Sequence, residues 1–360
     1  MTGSSFKCLK PVCLPIAVGT RLVTAVAGLC LLAMPAFAQE NPGDLSPAEK
    51  DKFYNLVIEN DSLAAYGDDN YTSGVRLSYL NLGAKLPEVA YTIDDYIPTF
   101  ELNENSSAYW TLGHNIYTPE DITAPNPDPQ DRPYAAFAYG SIGLVTVTDR
   151  HVDDVEVTLG IVGPPALGEE IQTFVHKYVT PSSPEPEGWD YGLDTEPGLI
   201  VAWQRRWPEY YMTDIPLDLN FGIEPNMGVT LGNIYTHASA GVTFRIGPES
   251  EKWQDTPARV RPAIPGTGFF EIPENKRFSW HAFAGLDARL VGRNIFLDGN
   301  TFSDSRSVNK KPVVADASVG AALTYEQVRL SYTLTYRTKE FNGQNGQQDI
   351  FGVVGVSYRF

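Results

Sequence analysis

The chain has 360 residues, of which 42% are hydrophobic, and a formal net charge of −17. An acidic surface of this kind repels the phosphate backbone of nucleic acids, so we expect no nucleic-acid partner. It suits a protein that meets divalent cations or cationic ligands, although it identifies neither. The length permits one large domain or two smaller ones.

Residues 1–38 have the three parts of a secretory signal peptide. Basic residues precede an apolar run from Leu22 to Met34, and Ala36-Phe37-Ala38 fits a small-x-small cleavage site. A short transmembrane anchor is the alternative, but the run is shorter than the about 18 residues of a spanning helix. We expect cleavage after Ala38, which takes 38 of the 360 residues, leaves 322 and removes all three cysteines. Loss of three positive charges then takes the net charge from −17 to −20.

Residues 39–360 alternate between apolar and polar side chains in many short stretches. From Val328 to Arg337, Val, Leu and Tyr residues occupy every second position and polar residues occupy the others. The same pattern recurs in 217–224, 238–246 and 280–290. A period of two over about ten residues predicts β-strands with one apolar and one polar face.

Alternation by itself fits either a soluble β-sandwich or a membrane β-barrel, and three features favour the barrel. Strands of about ten residues match a tilted crossing of a bilayer. Aromatic residues cluster near strand ends, as in interfacial girdles; they are Trp110, Tyr117, Trp203, Trp207, Trp280 and Tyr336. The last strand ends on Phe360, which resembles the signal read by the barrel-assembly machinery. We therefore predict an all-β fold, a single antiparallel transmembrane β-barrel over residues 39–360, in a bacterial outer membrane.

About twelve strands are predicted, an even number as an up-and-down barrel requires. They lie near 53–60, 71–82, 107–117, 135–147, 153–162, 196–206, 216–225, 230–246, 279–290, 313–325, 327–338 and 350–360. With the N-terminus inside the cell envelope, odd-numbered strands run outward. The Pro-rich segment 247–278 then becomes a long periplasmic link. Residues 167–179, with apolar Ile171 and Phe174 and polar Gln172 and His176, form a short amphipathic extracellular helix.

Polar residues gather at the predicted outward ends of the strands. The blocks are Ile58-Glu59-Asn60-Asp61, Tyr71-Thr72-Ser73-Gly74, Tyr117-Thr118-Pro119, Asp131-Arg132-Pro133-Tyr134, Gly160 to Pro164 with Gln172 and His176, then Trp189, Glu196 and Thr338-Lys339-Glu340-Phe341. In this order they resemble the lipid A 3'-O-deacylase family (LpxR-type), and the resemblance covers almost all of residues 39–360. Any one block is weak, whereas the ordered set is specific.

The resemblance implies a twelve-stranded barrel that acts as a calcium-dependent esterase. The family removes the 3'-linked acyloxyacyl group of lipid A in the outer leaflet, so the implied partners are lipid A or lipopolysaccharide and the surrounding outer-membrane lipids. The implied catalytic residues are Asn60, Asp61, Thr72 and His176, with Asp61 also near a Ca²⁺ ion, and the implied substrate-binding residues are Tyr117, Arg132 and Gln172.

Two positions depart from the family pattern. The family has a Lys seven residues after the Tyr of its Tyr-x-Pro motif, where this chain has Ala124. It has a Gln after the Trp motif, where this chain has Gly192. Arg132 is the nearest replacement for the missing cation.

The residue types suit ester hydrolysis, which needs a base, a nucleophile and something to stabilise the developing oxyanion. A histidine titrates near neutral pH and can take a proton from water. Aspartate is a hard oxygen ligand for Ca²⁺, and the ion polarises an ester carbonyl. Asn60 and Thr72 could orient water or substrate. The chain has no Gly-x-Ser-x-Gly sequence, which argues against an α/β-type serine hydrolase.

Structural roles and other functions remain as alternatives. Asp61 also fits a turn, Thr72 a strand start and Arg132 an ion pair. The whole chain could be a non-enzymatic barrel, either a small channel or an inactive homologue, which Ala124 and an uncrowded lumen would favour. It could also be an outer-membrane phospholipase, with Ser73 as the candidate nucleophile.

Overall fold

The computed structural model describes most of the chain after residue 50. The described residues are 51–64, 73–82, 86, 88, 90–91, 102–103, 105–181, 183–208, 210–248, 255–263, 266–270, 277–344 and 349–360. The predicted signal peptide and Thr72 lie outside them, so those predictions stay as they are.

The described residues are mostly strand, as predicted. The strands are β1 Lys52–Asn60, β2 Ser73–Asn81, β3 Ser106–Tyr117, β4 Ala135–Val147, β5 Val152–Val162, β6 Glu196–Arg206, β7 Tyr211–Ile215, β8 Leu219–Gly232, β9 Tyr235–Pro248, β10 Phe278–Asn294, β11 Val313–Tyr325, β12 Val328–Arg337 and β13 Asp349–Arg359. Among the described residues, α-helices α1 Gly168–Tyr178 and α2 Ile295–Asp298 and short 3-10 helices lie between the strands. α1 confirms the predicted helix over 167–179.

The strands close into a twelve-stranded antiparallel barrel, because β6 and β7 share one place in the wall. Both pair with β8, β6 along its second half and β7 along its first, so they form a single stave interrupted at 207–210. The first strand, β1, pairs with the last strand, β13, which completes the ring. The closed barrel confirms the predicted fold class.

The boundary between the seventh and eighth staves differs from the prediction. The break expected at 226–229 lies instead at 233–234, between β8 and β9. Pro225 lies within β8, beside the interruption between β6 and β7, and its carbonyl accepts the Trp207 N–H at 3.0 Å. A proline is tolerated where no neighbour needs its missing N–H. Asn233 makes the turn instead, with its side-chain oxygen accepting the Leu199 N–H at 2.8 Å.

Burial in the barrel is the reverse of that in a soluble protein. The exposed wall is apolar and includes Leu56, Leu77, Leu112, Leu159, Leu199, Leu330 and Tyr332, whereas the buried interior includes Asn55, Glu59, Arg76, Glu156, Arg289, Asp316 and Arg337. An apolar outer face with a polar lumen is the pattern of a barrel surrounded by lipid. No helix in the described part of the chain is long and apolar enough to span a membrane.

The described residues of the segment between β9 and β10, 255–263 and 266–270, fold into the lumen, whereas the sequence predicted a periplasmic link. Within it, Arg259 donates to Glu59 of β1 at 2.9 Å and Arg261 donates to Glu156 of β5 at 2.9 Å. Asp255 accepts from Arg206 of β6 at 2.8 Å. The alternation of the strands leaves buried charges on the lumen face, and buried charges need partners. The segment supplies them and crowds the interior, which weighs against an open channel.

Candidate functional site

Helix α1 lies on the lipid-facing side of the wall, at the rim where β1, β3 and β5 end. Its first residue, Gly168, abuts Ala136, whose side chain points outward from β4; a Cβ at Gly168 would approach the Ala136 Cβ to 2.5 Å. The preceding turn is bonded to the same strands. Gly163 donates its N–H to the Ala136 carbonyl at 3.1 Å, and His114 of β3 donates Nε2–H to the Ala166 carbonyl at 2.7 Å.

Gly163 makes the sharp exit from β5 that carries the chain onto the outer face. Its φ of +92° falls in the left-handed region that favours glycine. A Cβ there would also meet the Asp194 backbone at 2.7 Å. The structure therefore explains why the second glycine of the Gly-x-x-Gly-Pro block, Gly163, is a glycine.

Helix α1 turns Gln172 and His176 toward the protein and Phe174 and Tyr178 outward. Gln172 and His176, one turn apart, are 2% and 5% exposed, whereas Phe174 and Tyr178 are 58% and 65% exposed. Because residues four apart share one helix face, the two predicted site residues look the same way. A helix with an apolar outer face, placed against an apolar wall, suits the boundary between membrane and water.

The imidazole of His176 is held by a backbone carbonyl. Its Nδ1 lies 2.6 Å from the Pro184 oxygen. A carbonyl can only accept a hydrogen bond, so Nδ1 must carry the proton. In the neutral ring Nε2 is then the basic nitrogen. This is the tautomer that a general base needs.

Gln172 is oriented by a tryptophan. The indole Nε1–H of Trp189 donates to the Gln172 Oε1 at 3.0 Å, which fixes the amide plane. Among the described residues the buried amide Nε2 of Gln172 has no hydrogen-bond partner. A buried unsatisfied donor costs about 1–3 kcal/mol and calls for an explanation, such as a bound water or a functional role. A substrate oxygen would satisfy it.

Asn60 and Asp61 lie where β1 ends and a short 3-10 helix, Asp61–Ala64, begins. Both side chains accept from one N–H: Ser62 donates to Asn60 Oδ1 at 2.8 Å and to Asp61 Oδ1 at 2.7 Å. Sharing a single donor brings a carboxylate and an amide oxygen close together. Asp61 is buried, with 3% of its surface exposed.

These oxygens have the chemistry that Ca²⁺ prefers, since the ion takes six to eight hard oxygen ligands. Among the described residues no group of three or more His, Cys, Asp or Glu side chains is arranged to hold a metal ion. Asn60 and Asp61 would therefore supply part of a calcium shell. Backbone carbonyls, water or substrate oxygens would complete it.

Arg132 and Tyr117 lie on the lumen side of the rim, away from the outer face that carries α1. Arg132 is 1% exposed and donates to Glu340 at 2.7 Å. Its guanidinium also packs over the rings of Tyr117 and Phe341, at 5.9 and 5.5 Å. The Tyr117 hydroxyl lies 2.5 Å from that of Tyr235. A substrate phosphate would have to compete with Glu340 for Arg132.

The Arg132–Glu340 pair is held in its charged form. Burial is the largest single effect and disfavours charge on both groups, but nearby opposite charges together outweigh it. Glu340 and Asp349 raise the pKa of Arg132, and Arg132 and Arg337 hold the pKa of Glu340 below its usual value. A carboxylate with a lowered pKa stabilises the fold above its unfolded pKa of about 4.5 and loses that stabilisation as the pH falls.

Glu340→Gln should therefore destabilise the barrel by about 3 kcal/mol at neutral pH, because it leaves a buried arginine without its counter-charge. The measurement is urea unfolding of the purified barrel in detergent. Glu326→Gln, in the exposed pair with Arg277, is the matched control and should cost less than about 1 kcal/mol. The difference from wild type should narrow below about pH 4.5. Equal midpoints for the two variants would contradict this role for the pair.

The two departures from the family pattern have different structural settings. Gly192 follows the short Trp189–Tyr191 helix, and a Cβ there would meet the carbonyl oxygens of Trp189 and Tyr134, both at 3.0 Å. The larger side chain of the family would not fit this backbone without a shift. Ala124 is half-buried in the loop between β3 and β4 and brings no cation.

Sequence reasoning missed the groups that hold the two helix residues. The Pro184 carbonyl fixes the His176 tautomer, and a pattern of side chains in the sequence does not predict a hydrogen bond to a backbone oxygen. The hydrogen bond between His114 and the Ala166 carbonyl was missed because His114 belongs to none of the motif blocks. The only sequence signal for the contact of Trp189 with Gln172 was the presence of both residues among the motif blocks.

Comparisons with known proteins agree with this architecture. The sequence profile of a family described as outer membrane protein LpxR matches residues 25–360. LpxR from Salmonella typhimurium superposes with a TM-score of 0.66 at 20% identity, covering 85% of this chain and 99% of that one. The beta domain of the Bordetella autotransporter BrkA gives 0.43 at 9% identity, covering 87% and 100%. A search of curated proteins finds no match.

These findings differ in what they establish. The Salmonella structure shares the fold at an identity too low to transfer a role to any residue. The BrkA score is too low to carry any argument. The family profile, in contrast, covers nearly the whole chain and includes every motif block. The chain therefore belongs to the outer membrane protein LpxR family.

Proposed function

We propose that the protein is a lipid A deacylase of the outer membrane, a calcium-dependent ester hydrolase that removes the 3'-linked acyloxyacyl group in the outer leaflet. The observation that carries this proposal is the position of His176. His176, whose neutral ring carries its proton on Nδ1 and leaves Nε2 unprotonated, lies on the inward face of a helix that packs against the lipid-facing wall. A base there meets a substrate that arrives sideways through the membrane.

His176 acts as the general base. Its Nε2 takes a proton from water as the water oxygen bonds to the carbonyl carbon of the ester. The tetrahedral intermediate then breaks its bond to the sugar 3'-oxygen, which leaves with that proton. The products are the acyloxyacyl acid and a free 3'-hydroxyl.

Neighbouring residues hold the substrate and the developing charge. The buried amide Nε2 of Gln172 donates to a substrate oxygen. Asn60 and Thr72 orient the attacking water or the ester. Tyr117 and Arg132 support the rim from the lumen side, and Arg132 contacts a lipid phosphate only where that phosphate displaces Glu340.

In this proposal Asp61 would bind the Ca²⁺ ion, with Asn60 beside it. A bound Ca²⁺ supplies Lewis-acid polarisation of the ester carbonyl and countercharge for the oxyanion. The two side chains present hard oxygens from one turn, joined through the Ser62 N–H. No other described residue is assigned to the ion.

The rim that carries α1 faces the cell exterior in this proposal. Loops at that rim are long and include 118–134, 163–195 and 295–312, while the turns 148–151 and 326–327 at the opposite rim are short and the longer link 249–277 enters the lumen with its described residues. Long extracellular loops and short periplasmic turns are typical of these barrels. Export through the signal peptide ending at Ala38 and insertion by the barrel-assembly machinery, which would read Phe360, complete the route.

Mass spectrometry of lipid A tests the proposal. We expect lipid A from cells that express the protein, with Ca²⁺ supplied, to lose one acyloxyacyl group compared with cells that lack it. Loss of fatty acid from phospholipids instead would favour a phospholipase. Unchanged lipids, together with conductance in a planar bilayer, would favour a channel and overturn the proposal.

A further inference from the structure

A groove lies on the lipid-facing wall, on strands β2 to β5 and further from the rim than helix α1. It has a volume of about 450 Å³, which lies within the range of small-molecule pockets. Its lining includes Leu77, Trp110, Leu112, Gly140, Ile142 and Leu159. All of these point away from the lumen, so only the hydrocarbon of the membrane can fill the groove.

The groove exists because a glycine interrupts a row of leucines. Paired positions on β1 to β6 place one outward residue of each strand at the same height: Leu56, Leu77, Leu112, Gly140, Leu159 and Leu199. Five leucines and one glycine leave a notch at β4. A Cβ built on Gly140 meets its nearest atoms, in Leu112 and Thr111, at 3.6 and 3.7 Å, so the notch is open space that a side chain could occupy.

Both ends of the groove are defined. Toward α1, the outward positions of β4 are Ala138 and then Ala136, which touches the first residue of the helix. Four residues separate Ala136 from Gly140, about 14 Å along the strand. Toward the other rim, the next row across the wall is Tyr79, Trp110, Ile142 and Val157, whose large side chains close the groove.

We propose that this groove holds one hydrocarbon chain of the lipid substrate and sets the chain length that the enzyme prefers. The inference rests on the proposed function, because Gly140 of the groove lies on β4, the strand whose Ala136 contacts the first residue of the helix that carries His176. In a membrane the lipid tails are already in an apolar environment, so burial alone gives no preference. Selection comes from shape: a chain that fits between Ala138 and Trp110 packs fully, and a longer chain does not.

Two substitutions should change the preference in opposite directions. Gly140→Leu completes the leucine row and shortens the groove, so the ratio of short to long 3' chains released should rise about tenfold. Trp110→Ala removes the far wall and should lower that ratio. Ala284→Leu is the matched control, because Ala284 is also outward and exposed but lies on β10. It should leave the ratio unchanged.

The measurement is mass spectrometry of the acids released from lipid A with mixed 3' chains, together with the lipid retained by each purified barrel. If wild type releases acid and Gly140→Leu releases the same mixture, the groove holds only annular lipid and this inference is overturned. If wild type releases nothing, the proposed function fails. In that case the groove is still supported if the hydrocarbon chains retained by Gly140→Leu are shorter than those retained by wild type, with no such change in Ala284→Leu. The inference is overturned if the chains retained by Gly140→Leu are not shorter. Heat-modified migration on gels confirms that each variant is folded.

Discussion

His176→Ala should lower the release of the acyloxyacyl acid from lipopolysaccharide by about 10² to 10⁴, the usual contribution of a general base. The loss follows from the proposed mechanism, in which Nε2 takes a proton from water, and the Pro184 carbonyl keeps the proton of the neutral ring on Nδ1. Substrate binding should change little, so the effect should appear in kcat and not in KM. The measurement is mass spectrometry of product formed over time by purified protein with Ca²⁺ present.

His151→Ala is the control for the His176 variant. His151 lies at the opposite rim, where it pairs with Asp153 at 3.2 Å, and its removal is the same chemical change far from α1. It should leave activity within threefold of wild type, and both variants should keep the heat-modified migration of a closed barrel. A His176 variant with wild-type turnover would remove the base from the mechanism.

Asp61→Asn should abolish activation by calcium and lower activity about a hundredfold. The change keeps the size of the side chain and an oxygen that can accept the Ser62 N–H, but it removes the charge that a divalent cation needs. Wild type treated with a chelator should lose activity to a similar extent. The measurement is turnover over a calcium titration.

A binding readout separates the calcium site from catalysis. Ca²⁺ should raise the melting temperature of wild type, since a ligand that binds only the folded state stabilises it. The Asp61 variant should show no such increase. Asp121→Asn, which alters an exposed carboxylate bonded to Thr123 in the same rim, should behave as wild type. Equal calcium stabilisation in wild type and the Asp61 variant would place the ion elsewhere.

The filled lumen bears on the alternative of a channel. Arg259 and Arg261 enter from the segment between β9 and β10 and neutralise Glu59 and Glu156 on the strands. An open pore would leave those carboxylates facing water. The chain instead fills its interior, which leaves the outer face of the wall as the surface where lipid can be recognised.

Much of this architecture could be predicted because it is local in the sequence. The period of two in Val328–Arg337 gives a strand whatever surrounds it, and the spacing of Ile171, Gln172 and His176 gives a helix. The blocks around Asn60, Asp61 and His176 identified the family before any contact was known. The strand and helix patterns depend only on residues within about ten positions of one another, and the family resemblance depends on the order of short blocks along the chain.

The tertiary structure alone decided what each face meets. It turned Gln172 and His176 inward and Phe174 outward, placed Arg132 beside Glu340, which is 208 positions away, and drew Arg259 into the lumen. These outcomes depend on closure of the barrel, which brings distant strands together and exchanges the usual inside and outside. Alternation predicted two faces, and strand length, aromatic positions and Phe360 favoured lipid on the apolar side. Only the closed wall showed which buried charges of the other face neutralise one another.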